Sequence, residues 1–241
     1  VLSFVGNLQK TAREDEIVDF PERLTEGYRN FLTNRLPDEQ ARFKDLATRG
    51  QKPEVMVIGC CDSRVSPEVI FDAAPGELFV ARNVANLVPP YSPDGATRAV
   101  SAALEFAVQA LRVKHIVVLA HAQCGGIAAH ANNIEPLSPG DFIGNWMKLI
   151  EPALQRTLPR RPDETDQGFL TRLEQASALL TLENLMTFPC VNILVGRGKL
   201  KLHAAYFGVA KGDLLVHDKE LGAFVPIAKA EHAAALAAPR F

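Results

Sequence analysis

Apolar residues recur with two different periods along this chain, and the switches between them mark its elements. Over residues 22–36 they fall at Leu24, Tyr28, Phe31, Leu32 and Leu36, the spacing of one helix face. Pro21 lies near the start of that stretch and Pro37 at its end, which predicts a helix stopping there. Glu54 to Gly59 is a short apolar run rich in β-branched residues and reads as a buried strand. Glu77 to Ala81 reads as a second strand and His115 to Ala120 as a third. Between them, residues 94–111 show helical spacing through Ala99, Ala103, Phe106, Ala107 and Ala110, with Asp94 or Thr97 as the cap. Helical patterns return over 141–157 and 164–187, separated by the Pro/Arg-rich stretch Leu158 to Pro162. Lys199 to Phe207, Asp213 to His217 and Phe224 to Ile227 read as later strands, the last two as antiparallel additions at a sheet edge.

Strands separated by helices imply crossovers and an α/β fold, with a mostly parallel central sheet flanked by helices. A helix ahead of the first strand must pack on something, either its own sheet or a partner subunit. No repeat, low-complexity tract or convincing linker divides the 241 residues, so the chain is read as one domain. Residues 1–50 form its helical arm and 51–241 its α/β core.

Composition narrows the function. The 47% apolar content is enough for a substantial core. With 26 basic and 28 acidic residues and no obvious cationic cluster, the chain carries no nucleic-acid footprint and no basic membrane face. No apolar run approaches the ~18 residues of a membrane span. Val1 to Phe4 is soon followed by Lys10, Arg13, Glu14, Asp15 and Glu16, so no secretory signal is expected. Four cysteines, two of them adjacent, do not make a disulfide framework. A cytoplasmic protein is the expectation.

Two stretches carry the chemistry: Cys60-Cys61-Asp62-Ser63-Arg64 and His121-Ala122-Gln123-Cys124-Gly125-Gly126. Both fall at the C-terminal ends of predicted strands, where open α/β sheets bind ligands. Thiols and imidazole are preferred zinc ligands, and three protein ligands leave a tetrahedral position open for a water nucleophile. If the two stretches meet, the chain is a zinc hydrolase or hydratase. Side chains alternate along an extended segment, so Cys60 shares a face with Asp62 and Cys61 points the other way, into apolar space. His121 and Cys124 are three apart, a spacing that a turn entering a helix can bring onto one metal. Gly125 and Gly126 would open that helix, its N–H groups facing the site. Two thiolates neutralise the ion's charge, so a bound water needs help to lose its proton. Asp62 can accept that proton or its hydrogen bond, and Arg64, on the same face, can hold Asp62 ionised. The alternative, Asp62 itself closing the fourth position, stays open at this point.

Taken together, Cys60-x-Asp62-Ser63-Arg64-Val65, the run Arg82-Asn83-Val84-Ala85-Asn86-Leu87-Val88-Pro89-Pro90-Tyr91, and His121-x-x-Cys124-Gly125-Gly126 resemble the β-class carbonic anhydrases. The likeness extends roughly from Tyr28 to Ile227 and points to the plant-like branch. It implies one Zn2+ per chain on Cys60, His121 and Cys124, with Asp62 and Arg64 as the catalytic dyad. The implied reaction is reversible hydration of CO2 to bicarbonate and a proton, with zinc-bound hydroxide as nucleophile. The implied assembly is a homodimer, or a tetramer of two dimers, whose interface builds the active site and whose N-terminal helices wrap the partner. Gln51 stands where that branch has a glutamine donor to substrate oxygen, supplied by the other subunit. Phe79, Val84 and Phe106 match apolar positions of the substrate pocket, and the Gly125 N–H would face substrate oxygen.

The chain also departs from its relatives. Ala120 and Ala122 replace the Gly and Ser that commonly flank the histidine, and Phe106 replaces a tyrosine. Val57 stands where relatives with an inhibitory bicarbonate pocket carry Trp, which predicts the open form with the Asp62–Arg64 pair intact. Two competing functions are a non-enzymatic bicarbonate-binding protein and a related zinc hydrolase acting on a CO2 analogue such as carbon disulfide. Val57 and the dyad weigh against the first, and Gln51 suits an oxygen-bearing substrate. His115, His130, His203, His217 and His232 lack a second ligand at useful spacing, and Cys190 after Pro189 is expected to be buried and inert.

Overall fold

The computed structural model describes residues 19–134 and 142–227. The expectations for the first sixteen residues, for the opening residue of the 141–157 helix and for His232 fall outside these ranges. Internal packing divides the chain into Val1–Arg49 and Gly50–Phe241.

In the first unit, α1 (Glu22–Asn30) passes through one π-helical turn (Phe31–Arg35) into α2 (Leu36–Arg49). Contrary to expectation, Pro37 does not end the helix. The wider turn explains why. The Leu36 N–H already reaches back five residues to the Phe31 carbonyl, so the ladder has slipped where proline, lacking an N–H, enters. Phe31 packs on Tyr28 and, edge-on, on Phe43, with ring centroids 6.3 and 6.0 Å apart.

The second unit is built on one sheet. Its strands are β1 (Val55–Cys60), β2 (Leu78–Asn83), β3 (His115–His121), β4 (Lys201–Gly208), β5 (Asp213–Asp218) and β6 (Ala223–Pro226). The spatial order is β2-β1-β3-β4-β5-β6. The first four pair in parallel, and β5 and β6 add antiparallel at one edge, as the sequence pattern predicts. Strands buried on both faces need no alternation of polarity, and β1 shows none. Met56 and Ile58 join a core with Val118, Leu104 and Leu185, while Val57 points oppositely to meet Leu119 and Ala205.

The helices are α3 (Pro67–Ile70), α4 (Ala99–Glu105), α5 (Gly125–Ala131), α6 (Phe142–Met147), α7 (Glu151–Thr157), α8 (Asp166–Met186) and α9 (Pro189–Gly196). The helix expected over 94–111 begins only at Ala99, after Arg98, without a side-chain cap. Asp94 is instead occupied with the Ala96 N–H and the Arg98 guanidinium. Sequence periodicity left α9 unread, because its Val191, Ile193 and Val195 alternate like a strand. Cys190 sits in its first turn and is half-buried rather than fully enclosed. Helix α8 starts at a Thr165 cap, whose hydroxyl accepts from the Gly168 N–H at 3.0 Å. It packs on α7, β3 and β4 and buries Glu174, Ser177 and Thr181 alongside Phe169, Leu173 and Leu185. Among the described residues, no single helix is long and apolar enough to cross a membrane.

Candidate metal centre

The C-terminal ends of β1 and β3 lie side by side, with Gly59 opposite Leu119 in the parallel register. Cys60 therefore ends one strand close to where His121 ends the next. Beyond His121 the chain turns sharply, with Gln123 in the left-handed region at φ 57°, and Cys124 leads into α5. The ligand atoms of Cys60, His121 and Cys124 all lie within 4.8 Å of one another, and all three residues are buried. A tetrahedral ion with Zn–S of about 2.3 Å needs ligand atoms roughly 3.5–3.8 Å apart, so the cluster is of the right size.

The donor chemistry fits as well. His121 Nδ1 lies 2.9 Å from the Ala122 carbonyl, which fixes the proton there and leaves Nε2 as the free base. Nε2 is buried and, among the described residues, has no hydrogen-bond partner, a costly state unless a cation takes its lone pair. The two thiols hydrogen-bond to each other, which pulls Cys60 well below the ordinary thiol range and pushes Cys124 up. The Ala85 N–H donates to Cys60 Sγ at 3.3 Å and favours a thiolate there. Burial lowers the basicity of His121, but the Cys60 thiolate and the Ala122 carbonyl outweigh it and raise its pKa. These residues suit one zinc ion.

Arg64 holds the Asp62 carboxylate. Arg64 Nε and its backbone N–H both donate to Oδ1, at 2.9 and 3.0 Å, and Nη2 donates to Oδ2 at 2.6 Å. This fork holds the Asp62 carboxyl far below the usual carboxylate range. Oδ2 stands 4.0 Å from His121 Nε2, beside the cluster. Arg64 Nη2 also donates to the Gln123 carbonyl at 3.0 Å, tying the first stretch to the second.

Cys61 departs from expectation. It is exposed, not packed in apolar space. Strand β1 ends at Cys60, and the Cys61 N–H donates to the Asn83 carbonyl, so the alternation stops before it can send the thiol into the core. Cys61 instead borders a cavity of about 970 Å³ with Val80, Arg82, Val84, Arg98 and Trp146.

Of the expected substrate-binding residues, Val84 reaches this region. Its carbonyl accepts from Trp146 Nε1 at 2.8 Å. Its side chain also explains one glycine. A Cβ at Gly126 would come within 2.8 Å of Val84 Cγ1 and 3.2 Å of Met147 Sδ, whereas one at Gly125 would meet nothing within 4 Å. Gly126→Ala is therefore expected to lower stability by about 1–3 kcal/mol through overpacking, and Gly125→Ala to cost clearly less. Thermal or urea unfolding of the two variants would check this ordering.

Phe79 is opposite Met56, four rungs from the rung that joins Cys60 to Asn83, or about 13 Å along the strand. Phe106 packs on Phe79, with ring centroids 5.9 Å apart, and is about half exposed. Gln51 is exposed just after Gly50. Gln51 precedes β1 at the end opposite Cys60, and Phe79 with Phe106 packed on it lies toward that same end. The other described histidines are engaged elsewhere: His115 Nδ1 lies 3.1 Å from His203 Nε2, His130 Nε2 lies 3.0 Å from Glu151, and the His217 ring packs on Phe224.

Supporting residues that motif reading passed over come from farther away. Arg82 Nε donates to the Cys60 carbonyl at 2.8 Å and its Nη2 to the Asp62 carbonyl at 2.7 Å, fixing the loop that carries both. Glu174 of α8 accepts from the Cys124 N–H at 3.0 Å and from the Tyr206 hydroxyl at 2.7 Å. Burial raises the Glu174 pKa, against the opposing pull of these donors. Thr181 and Asn184 of the same helix donate to the carbonyls of Asn86 and Val88. Arg82 was visible within its motif; a lone glutamate inside a long helix gave no signal.

Comparison with known proteins agrees with this geometry. A family model described as "Carbonic anhydrase" matches residues 55–214. The chain is 35% identical over 198 residues to beta carbonic anhydrase 3 of Arabidopsis thaliana, covering 81% of this chain and 76% of that protein. Its structure resembles that of the β-carbonic anhydrase CcaA, with a TM-score of 0.78 and 30% identity over 85% of this chain and 98% of the other. It also resembles a tetrameric β-carbonic anhydrase of the ascomycete Sordaria macrospora, with a TM-score of 0.70 and 26% identity over 84% and 97% of the two chains. A paired cysteine and histidine at two strand ends, a third thiol at a helix entrance, and these likenesses lead to one assignment: the chain belongs to the carbonic anhydrase family, in its β class.

Proposed function

We propose that this chain catalyses the reversible hydration of CO2 to bicarbonate and a proton. The observation that carries the proposal is the buried, unpartnered His121 Nε2 within reach of two thiols, with the Arg64-held carboxylate of Asp62 4.0 Å away. Cys60, His121 and Cys124 would hold a zinc ion, which would supply Lewis-acid activation of a water molecule. Asp62 accepts the proton or hydrogen bond of the reacting water, and Arg64 keeps it ionised and turned to its own guanidinium. Removing charge from the dyad would leave that water without its acceptor.

Val84 borders the cavity from which substrate would approach, and the Gly125 N–H at the start of α5 is assigned to substrate oxygen. Phe79, with Phe106 packed on it, is four rungs from Asn83, and Gln51 precedes β1 at the end opposite Cys60, which supports their delivery to the site of a second subunit. A dimer is the proposed working unit, with the N-terminal helices packing on the partner. The tetrameric relative supports a pair of such dimers as the larger assembly. A reducing, cytoplasmic setting suits the four unbridged cysteines, two of them ligands.

Stopped-flow CO2 hydration on protein assayed for zinc tests the activity. One equivalent of zinc and measurable turnover from neutral to alkaline pH are expected. Protein fully loaded with zinc that binds bicarbonate yet turns over nothing would sink the enzyme assignment and favour a bicarbonate-binding protein.

A further inference from the structure

One peptide group in the metal centre is gripped from both sides. The carbonyl of Gln123 accepts from Arg64, and the N–H on the same peptide, that of Cys124, donates to Glu174. Glu174 is in turn held by the Tyr206 hydroxyl from β4. The result is an unbroken hydrogen-bonded path: Asp62, Arg64, the Gln123–Cys124 peptide, Glu174, Tyr206. Local conformational preference would not fix this peptide, because Gln123 occupies the left-handed region at φ 57°, which non-glycine residues rarely adopt. The preceding N–H, that of Ala122, is tied to the Phe207 carbonyl at 2.9 Å. Gln123 is thus the pivot between a sheet-anchored Ala122 and a helix-anchored Cys124.

A carboxylate is an expensive way to hold one amide. Glu174 is only 1% exposed, and burying a charge-capable group is costly unless hydrogen bonds offset it. Both of its oxygens are used, one on the metal turn and one on the sheet. A purely structural contact in this position would be apolar, and the neighbouring Phe169 and Leu173 of α8 do join an apolar cluster.

We propose that Glu174 and Tyr206 are positioning residues of the metal centre: they orient the Gln123–Cys124 peptide so that the Cys124 thiol faces the ion and the Gln123 carbonyl stays in place for Arg64. This rests on the assignment of Cys60, His121 and Cys124 as the zinc ligands. The pair touches neither substrate nor reacting water. Its influence passes through the peptide, to the ligand on one side and to the dyad on the other.

The test compares Glu174→Gln, Glu174→Ala and Tyr206→Phe with the wild-type holoprotein. It reads the rate of zinc loss to a chromophoric chelator and the visible spectrum of Co2+-loaded protein. Glu174→Ala is expected to release zinc about 10–100 times faster and to shift the cobalt bands, the usual scale for losing a partner of a metal ligand. Glu174→Gln keeps an oxygen for the Cys124 N–H and should stay within about threefold of wild type. Tyr206→Phe should fall between them. Wild-type release and an unaltered cobalt spectrum in Glu174→Ala would overturn the proposal. Should that variant fail to fold, unchanged release and spectrum in Tyr206→Phe would do so. Neither measurement involves CO2. A chain that shows the expected zinc losses but hydrates no CO2 would therefore defeat the proposed activity and leave this inference standing.

Discussion

Replacing Cys60 with alanine is expected to strip the chain of zinc and bring CO2 hydration to background, a loss well above the ~10–100-fold typical of an outer partner. The thiol is one of three buried donors around a single point, and two remaining ligands cannot hold the ion against solvent. The substitution also leaves the Ala85 N–H buried without its acceptor, at a cost of about 1–3 kcal/mol, so lower thermal stability should accompany the loss. The neighbouring thiol supplies the control. Cys61 is exposed and outside the cluster, and Cys61→Ser is expected to keep a full equivalent of zinc. Metal analysis of both purified variants decides the matter. A Cys60→Ala protein that retains tight stoichiometric zinc, or a Cys61→Ser protein that loses it, would reassign the ligand.

Asp62→Asn should leave the zinc in place and cut kcat/KM for CO2 by about 10²–10⁴-fold, the range for a lost general acid or base. The amide preserves shape and still offers one oxygen to Arg64, so the change is close to a pure removal of charge. Its pH behaviour follows from the direction of the Asp62 shift. Arg64 depresses the folded pKa, so the stability this pair contributes is fully present above the unfolded value of about 3.9. It disappears only as pH falls through the depressed folded value. From pH 6 to 9 the stability difference between wild type and Asp62→Asn should therefore be flat, and it should close in strong acid. Unfolding midpoints across that range, read beside stopped-flow rates, check both parts. A variant with undiminished turnover would remove Asp62 from the mechanism.

The sequence carried some of this centre openly and hid the rest, and the division has a physical cause. Cys60, Asp62 and Arg64 lie within five residues, and His121 and Cys124 within four, so each set is kept close together by its shortness along the chain. The two sets meet because β1 and β3 are adjacent parallel strands; the apolar runs announced both strands, but not that they are neighbours, since a run buried on both faces carries no mark of its partner. Cys61 was misplaced because alternation holds only while a strand lasts, and β1 ends one residue earlier. Pro37 was misread as a stop because a widened helical turn, which no local pattern announces, lets proline pass. Glu174 lies fifty residues beyond Cys124, inside a helix buried on several sides. Such a helix shows no polar face against which an inward-pointing carboxylate would stand out.

The arrangement of the donors also bears on how the chain folds. Cys60 and His121 are joined through the β1–β2–α4–β3 stretch, and they become neighbours only when β1 and β3 have paired in parallel. Parallel pairing across a long connection is slow, because loop closure is lost entropy until the distant contact forms. Zinc is therefore expected to act late in folding, unlike in small metal-nucleated domains whose ligands sit a few residues apart. The full set of donors exists only once β1 and β3 have paired, so the binding free energy of the ion would stabilise the assembled sheet and refolding rates should be nearly the same with and without zinc.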